Sequence, residues 1–178
     1  MRPRLVLLGL IASFLLADSG GGLQWTAPAT WKQQAERPMR VATYLVPAAP
    51  GDKDNGECGV YYFGQGQGGS VQANLDRWIG QFLQADGKPS PKAAKTSTET
   101  IHGLKVTTVD VSGAYTGMGG PMAGAGPAKA GYRLLGAIAE GPEGSLFFKF
   151  TGPANTVAAN QAAFQKMIQS LRPAGKAA

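Results

Sequence analysis

Gly64, Gly66 and Gly69, in the stretch FGQGQGGSVQANLDRW, fit the spacing G-x-G-x-x-G. In that pattern backbone amides and a helix N-terminus hold the pyrophosphate of a dinucleotide. The rest of the fingerprint is missing. No parallel strand with a ribose-binding acid follows, and Asp86, at about the right remove, falls in a turn. The phosphate-loop pattern G-x-x-x-x-G-K-[ST] fails as well, because Ser70 stands where its lysine is required. The glycines therefore read as a corner between a strand and a helix, and no cofactor is expected.

Other reactive residues are sparse. His102 is the single histidine; Ser97, Thr98 and Thr100 lie near it, but no G-x-S-x-G nucleophile motif exists. It reads as an exposed turn residue. Asp52, Asp54, Glu57, Glu140 and Glu143 lie in or beside loops and read as solvated, and Asp52-Lys53-Asp54 is too thin a cluster for a hard cation. Met118 and Met122 offer thioethers that select Cu(I), with Met39 or His102 as further ligands, although Gly119-Gly120-Pro121 prevents a helix from aligning the two sulfurs. Cys58, the one cysteine, cannot form an intramolecular disulfide and reads as a small buried hydrophobe. These parts do not assemble a catalytic set, so the chain is expected not to be an enzyme.

The elements that would position these residues follow from periodicity. LQWTAPATWKQQ carries a short strand, a turn at Pro28 and two tryptophans, Trp25 and Trp31. MRVATYLVP and CGVYYFG read as strands, separated by a loop of turn formers. Val71, Leu75, Trp78, Ile79, Phe82 and Leu83 then form one apolar stripe, predicting a helix of about four turns capped by Ser70 and stopped at Gly87. KTSTETIHGLKVTTVDVSGAY predicts two strands meeting at His102-Gly103, as a short hairpin or a bend in one long strand, and GYRLLGAIAEGPEGSLFFKFTGP two more joined at Gly141-Pro142-Glu143-Gly144. The run 113–130, bounded by Gly113 and Ala130, has no period and reads as a long binding loop. Asn155 is expected to cap a last helix ended by Pro173. Strands joined by hairpins, with helices at two separate points, argue for an α+β fold: an antiparallel sheet covered by helices on both faces.

Composition sets the compartment and the partners. Met1-Arg2-Pro3-Arg4, an apolar run from residue 5 to 17 and small residues after it predict a signal peptide over 1–19, cleaved after Ser19. A single domain over 20–173 and a disordered tail over 174–178 should follow, in the periplasm or secreted. No cysteine ends the apolar run, so a lipid anchor is not expected. The 178-residue chain carries a net charge of +6, but its basic residues are scattered singly. Nucleic acid is thus not an expected partner, and membrane contact should be peripheral at most.

LQWTAPATWK resembles the opening segment of PsbP-like domains. NLDRWIGQF and FKFTGPANTVAANQAAFQKMIQSL are similar to the helix and the strand-plus-helix ending of exported bacterial proteins in that α/β/α sandwich superfamily. The resemblance spans about residues 22–173. It implies an antiparallel sheet between helices and a non-catalytic role such as subunit stabilisation or partner binding. The expectation is a monomeric binding or accessory module for an envelope protein or small ligand, touching its partner through Trp25, Trp31, Tyr115, Met118 and Met122. A small-ligand or copper carrier using the 113–130 loop is the alternative.

Overall fold

A computed structural model describes residues 17–117 and 127–175. Its strands are β1 (Asp18–Gly20), β2 (Leu23–Trp25), β3 (Lys32–Gln33), β4 (Arg40–Val46), β5 (Gly56–Tyr62), β6 (Phe82–Leu83), β7 (Lys95–Ile101), β8 (Leu104–Tyr115), β9 (Lys129–Gly141), β10 (Gly144–Pro153) and β11 (Arg172–Pro173). The α-helices are α1 (Val71–Ile79), α2 (Ala154–Ala159) and α3 (Gln161–Gln169). The main sheet has eight strands in the order β3-β4-β5-β10-β9-β8-β6, with β7 paired to β8. Every one of its pairings is antiparallel. A three-stranded sheet, β1-β2-β11, stands beside it.

Both strand junctions are hairpins, which settles the His102-Gly103 junction against a bend in one long strand. His102 (φ 46°) and Gly103 (φ 82°) occupy the left-handed region, and Ile101 pairs with Leu104 across them. A two-residue turn of that hand matches the twist of the flanking strands. Gly141 pairs with Gly144 across a second two-residue turn, Pro142-Glu143, in which the positive φ (121°) falls instead on Gly144. The glycine bend leads from β5 into α1, and Gly64, Gly66, Gly68 and Gly69 all have positive φ, a conformation that side chains with a Cβ disfavour.

α1 is shorter than its apolar stripe. Ser70 Oγ accepts from Ala73 N (3.1 Å), as expected of a cap, but the helix stops at Gly80, whose N–H returns to Asp76 O (2.8 Å). Phe82 shares the helical spacing yet belongs to β6, where it pairs with Tyr115 and is wholly buried. The final helix is also divided, at Asn160. Asn155 does not cap it. Asp52, from the loop before β5, reaches across instead: its Oδ2 accepts from Thr156 N (2.8 Å) and Thr156 Oγ1 (2.6 Å). Those bonds hold the Asp52 carboxyl below the usual carboxylate range.

The strands also extend past three expected boundaries. Gly113 and Ala130 lie in β8 and β9, so the aperiodic run is narrower than its composition suggests. Asp18 and Ser19, expected in the leader, stand in β1, where Asp18 Oδ2 accepts from Tyr44 OH (2.5 Å). Pro173 belongs to β11, and Ala174, expected in the tail, donates to Gly22 O (2.9 Å).

Two apolar clusters form, and the strands divide their side chains between them by alternation. One joins Trp25, Trp31, Tyr44, Leu146, Phe148 and Phe150 with Phe164, Met167 and Ile168 of α3. The other joins Phe147, Val109, Leu134 and Ile138 with Leu75, Trp78 and Ile79 of α1.

Candidate functional site

Trp25 and Trp31 do not form a contact surface. They are 1% and 6% exposed, and their indole nitrogens donate inward, to Tyr44 OH (2.9 Å) and Asn160 Oδ1 (3.0 Å). Trp25 also meets Phe148 edge-on, and Trp31 packs 5.0 Å from Phe150. Large amphipathic rings with satisfied N–H groups are core material. Met118 and Met122 lie outside the described residues. Met39 and His102, named with them as copper ligands, do not converge. Met39 precedes β4 and His102 follows β7; β4 and β8 are four strand spacings apart, roughly 19 Å. Among the described residues no group of three or more His, Cys, Asp or Glu could hold a metal. Cys58 is fully buried, and burial pushes its thiol pKa far up, which leaves it unreactive.

Tyr115 lines a hollow beside Tyr132 and Lys149. Its ring stacks on Tyr132 (5.9 Å, 6° between planes) and packs against Phe82 (5.2 Å). Burial, reinforced by neighbouring negative groups, pushes its phenol up to about 12. Lys149 approaches it, donating to Tyr115 OH at 3.4 Å with Nζ 5.4 Å from the ring centroid.

Lys149 organises this region. In β10 the side chains of Leu146, Phe148 and Phe150 enter one cluster, so Phe147 and Lys149 point to the opposite side of the sheet. Lys149 is 6% exposed, and its Nζ donates to Gln81 Oε1 at 2.6 Å. Gln81 is itself buried and fixed, since its backbone carbonyl accepts from Thr116 N (2.9 Å) and Thr116 Oγ1 (3.1 Å). Burial first, then the charges of Arg77 and Arg40, bring the Lys149 pKa down to about 8, with Glu57 opposing.

A cleft of about 540 Å³ opens above this lysine. Its floor is aromatic: Phe147, Trp78, Phe63 and Tyr61. Trp78 lies close over the sheet because β9 carries Gly136 beneath it; a Cβ there would meet the ring at 2.6 Å. Arg40 opens β4 opposite Tyr61, its guanidinium 5.1 Å from that ring and 2.6 Å from Glu57 Oε1. Arg37 reaches the other oxygen of Glu57 at 3.1 Å. Arg77 stands on the exposed side of α1 and donates to Asn74 Oδ1, while Asn74 Nδ2 ties the helix to the bend through Gly68 O (2.8 Å) and Ser70 O (2.9 Å). Four cations thus line one cleft, with no carboxylate in its lining among the described residues, and Glu57 bonds two of the arginines.

A smaller hollow of about 210 Å³ shares Arg40, Tyr61 and Lys149 with the cleft and extends to Tyr115 and Tyr132. Asp54, solvent-exposed as expected, borders it and accepts from Lys129 Nζ (2.9 Å) and Tyr132 OH (2.6 Å). Those bonds hold the Asp54 carboxyl down. Sequence reading missed Arg40, Arg77 and Lys149. One signal was available for Lys149: a lone charge inside the apolar run LFFKF.

No protein-family model matches the chain, and no curated protein matches it. Solved structures do. The solution structure of cyanobacterial PsbP (CyanoP) from Synechocystis is 10% identical, covers 94% of this chain and 99% of its own, and superposes with a TM-score of 0.53. A protein of unknown function from Pseudomonas aeruginosa is 14% identical over 86% of this chain and 92% of that one, with a TM-score of 0.50. A Bacteroides thetaiotaomicron protein is 12% identical over 89% of this chain and 48% of that one, with a TM-score of 0.48. The likeness to CyanoP shows that this chain has a PsbP-like fold.

Proposed function

We propose that this PsbP-like domain is an exported, non-catalytic binding module, and that the cleft above Lys149 seats its ligand. Helices cover both faces of the sheet in this reading: α1 packs with Phe147 and α3 with Phe148 and Phe150, which are neighbours in one strand. The first face is incompletely covered, and the cleft is the uncovered part. One observation carries the proposal: a nearly buried lysine faces the same cavity as three arginines, and two of those arginines disfavour its charge. An anion placed there would relieve that repulsion, and the aromatic floor would take up an apolar body. The arginine-flanked apolar run over residues 5–17 supports export.

The test uses 8-anilinonaphthalene-1-sulfonate, an anion with an apolar body, as probe. Its fluorescence should rise and saturate with the purified protein. Amide NMR shifts should concentrate in residues 37–40, 61–63, 74–81 and 147–149. Shifts gathered elsewhere, or no saturable signal, would refute the assignment.

A further inference from the structure

We infer that the occupant of this cleft is a single amphiphile of the fatty-acid class, a carboxylate head joined to an aliphatic chain. The inference rests on the binding-module reading above and goes further by naming the ligand chemistry. Three observations lead to it. Lys149, Arg40 and Arg77 line one cleft together with Arg37, and this concentration of cations marks where a negative head would lie; the two nearer arginines also weaken the lysine's hold on its proton. Phe147, Trp78 and Phe63 extend the site with apolar surface that a small inorganic anion would leave in water. Met39 stands at the rim, 68% exposed and at φ 64°, in a turn closed by Arg40 N to Arg37 O (3.2 Å). That backbone region favours glycine, yet a long flexible thioether occupies it and borders the cleft.

The alternatives each waste part of this arrangement. A neutral hydrophobe would cover the aromatics and make no use of the four cations that line the cleft. A lipid held in a bilayer could not bring its head to an ammonium that is 6% exposed inside a cleft. A free amphiphile with its head toward Lys149 and its chain running over Trp78 to Met39 uses every part. The volume of about 540 Å³ lies within the range of roughly 300–1,000 Å³ common for small-molecule pockets.

The probe is 11-bromoundecanoate, below its micellar concentration, added to the purified protein. Bromine quenches tryptophan on contact, and Trp25 and Trp31 are sealed in the other cluster. Only the Trp78 component should be lost, saturably, with displacement of 8-anilinonaphthalene-1-sulfonate. Undecanol and undecylammonium should bind at least about tenfold more weakly, and Arg77→Gln or Lys149→Met should weaken the acid about tenfold while leaving the alcohol unchanged. Arg77 is exposed, so its variant carries the test if Lys149→Met does not fold, with near-ultraviolet dichroism confirming the native state. Equal binding of the amine or the alcohol would overturn the inference. So would retention of inorganic phosphate as tight as that of the acid, or association only with phosphatidylglycerol vesicles. If the sulfonate probe binds the cleft but bromoundecanoate does not displace it, this inference falls and the binding reading stands; if neither binds, both fall.

Discussion

Trp25 and Trp31 on one side of the sheet and Trp78 on the other are the same residue type put to different use. The first two are sealed among Tyr44, Phe148, Phe150 and the side chains of α3, with their N–H groups bonded inside the protein. Trp78 is also nearly buried, but one edge forms the floor of an open cleft rimmed by cations. An apolar layer can be closed to serve stability, or left unfinished to serve binding. The difference is made by what lies next to the ring: Asn160 and Tyr44 in the first case, Arg77 and Lys149 in the second.

The contrast predicts unequal costs. Trp31→Ala should destabilise the protein by about 3–5 kcal/mol, because it empties a packed site and leaves Asn160 without its donor. Trp78→Ala should cost less, because one edge of its ring already faces the cleft, and should also lower the affinity for 8-anilinonaphthalene-1-sulfonate. Urea unfolding of both variants measures this. Equal costs would mean that the two clusters are packed alike and that the cleft has no functional surplus of surface.

Lys149 gives the next largest effect. Its folded pKa, near 8, lies below the 10.5 of an unfolded lysine, so between those values the unfolded chain binds more protons. Stability must therefore rise with pH across that window; the penalty is fully present below pH 8 and fades as pH climbs toward 10.5. Between pH 8 and pH 10 the stability of the native protein should gain about 2 kcal/mol relative to Lys149→Met. Taking the difference between the two proteins cancels the tyrosines, whose raised pKa values act in the opposite sense above pH 10. A flat difference would place Lys149 in a far wetter setting than its burial describes.

These effects also show which levels of organisation could be read in the sequence. Hairpins are local, so His102-Gly103 and Pro142-Glu143 announced themselves through turn chemistry. The helix start at Ser70 was legible for the same reason, and Ser70→Ala should cost about 1 kcal/mol in urea unfolding. The end of α1 was not legible, because Phe82 satisfies the helical period while its burial in β6 is decided by Tyr115, distant in sequence. The cap on α2 was hidden likewise, since Asp52 supplies it from another loop. The cleft was least legible of all. Arg37 and Arg40 in the turn into β4, Arg77 on α1 and Lys149 in β10 are single charges on three different segments, and only the strand order that sets β4 and β5 beside β10 assembles them.

The smallest expected effect is the sharpest test of whether the open side was left open for binding. Met39 sits at φ 64°, where a residue with a Cβ is strained and glycine is not. Met39→Gly should therefore raise stability in urea unfolding by up to about 1 kcal/mol, against the usual direction for a glycine substitution. The same change should weaken capture of 11-bromoundecanoate, because it removes apolar surface from the rim of the cleft. Stability gained together with binding lost would identify the strain as serving the ligand. Stability gained with binding unchanged would reduce Met39 to a turn residue and confine the apolar seat to Trp78, Phe147 and Phe63.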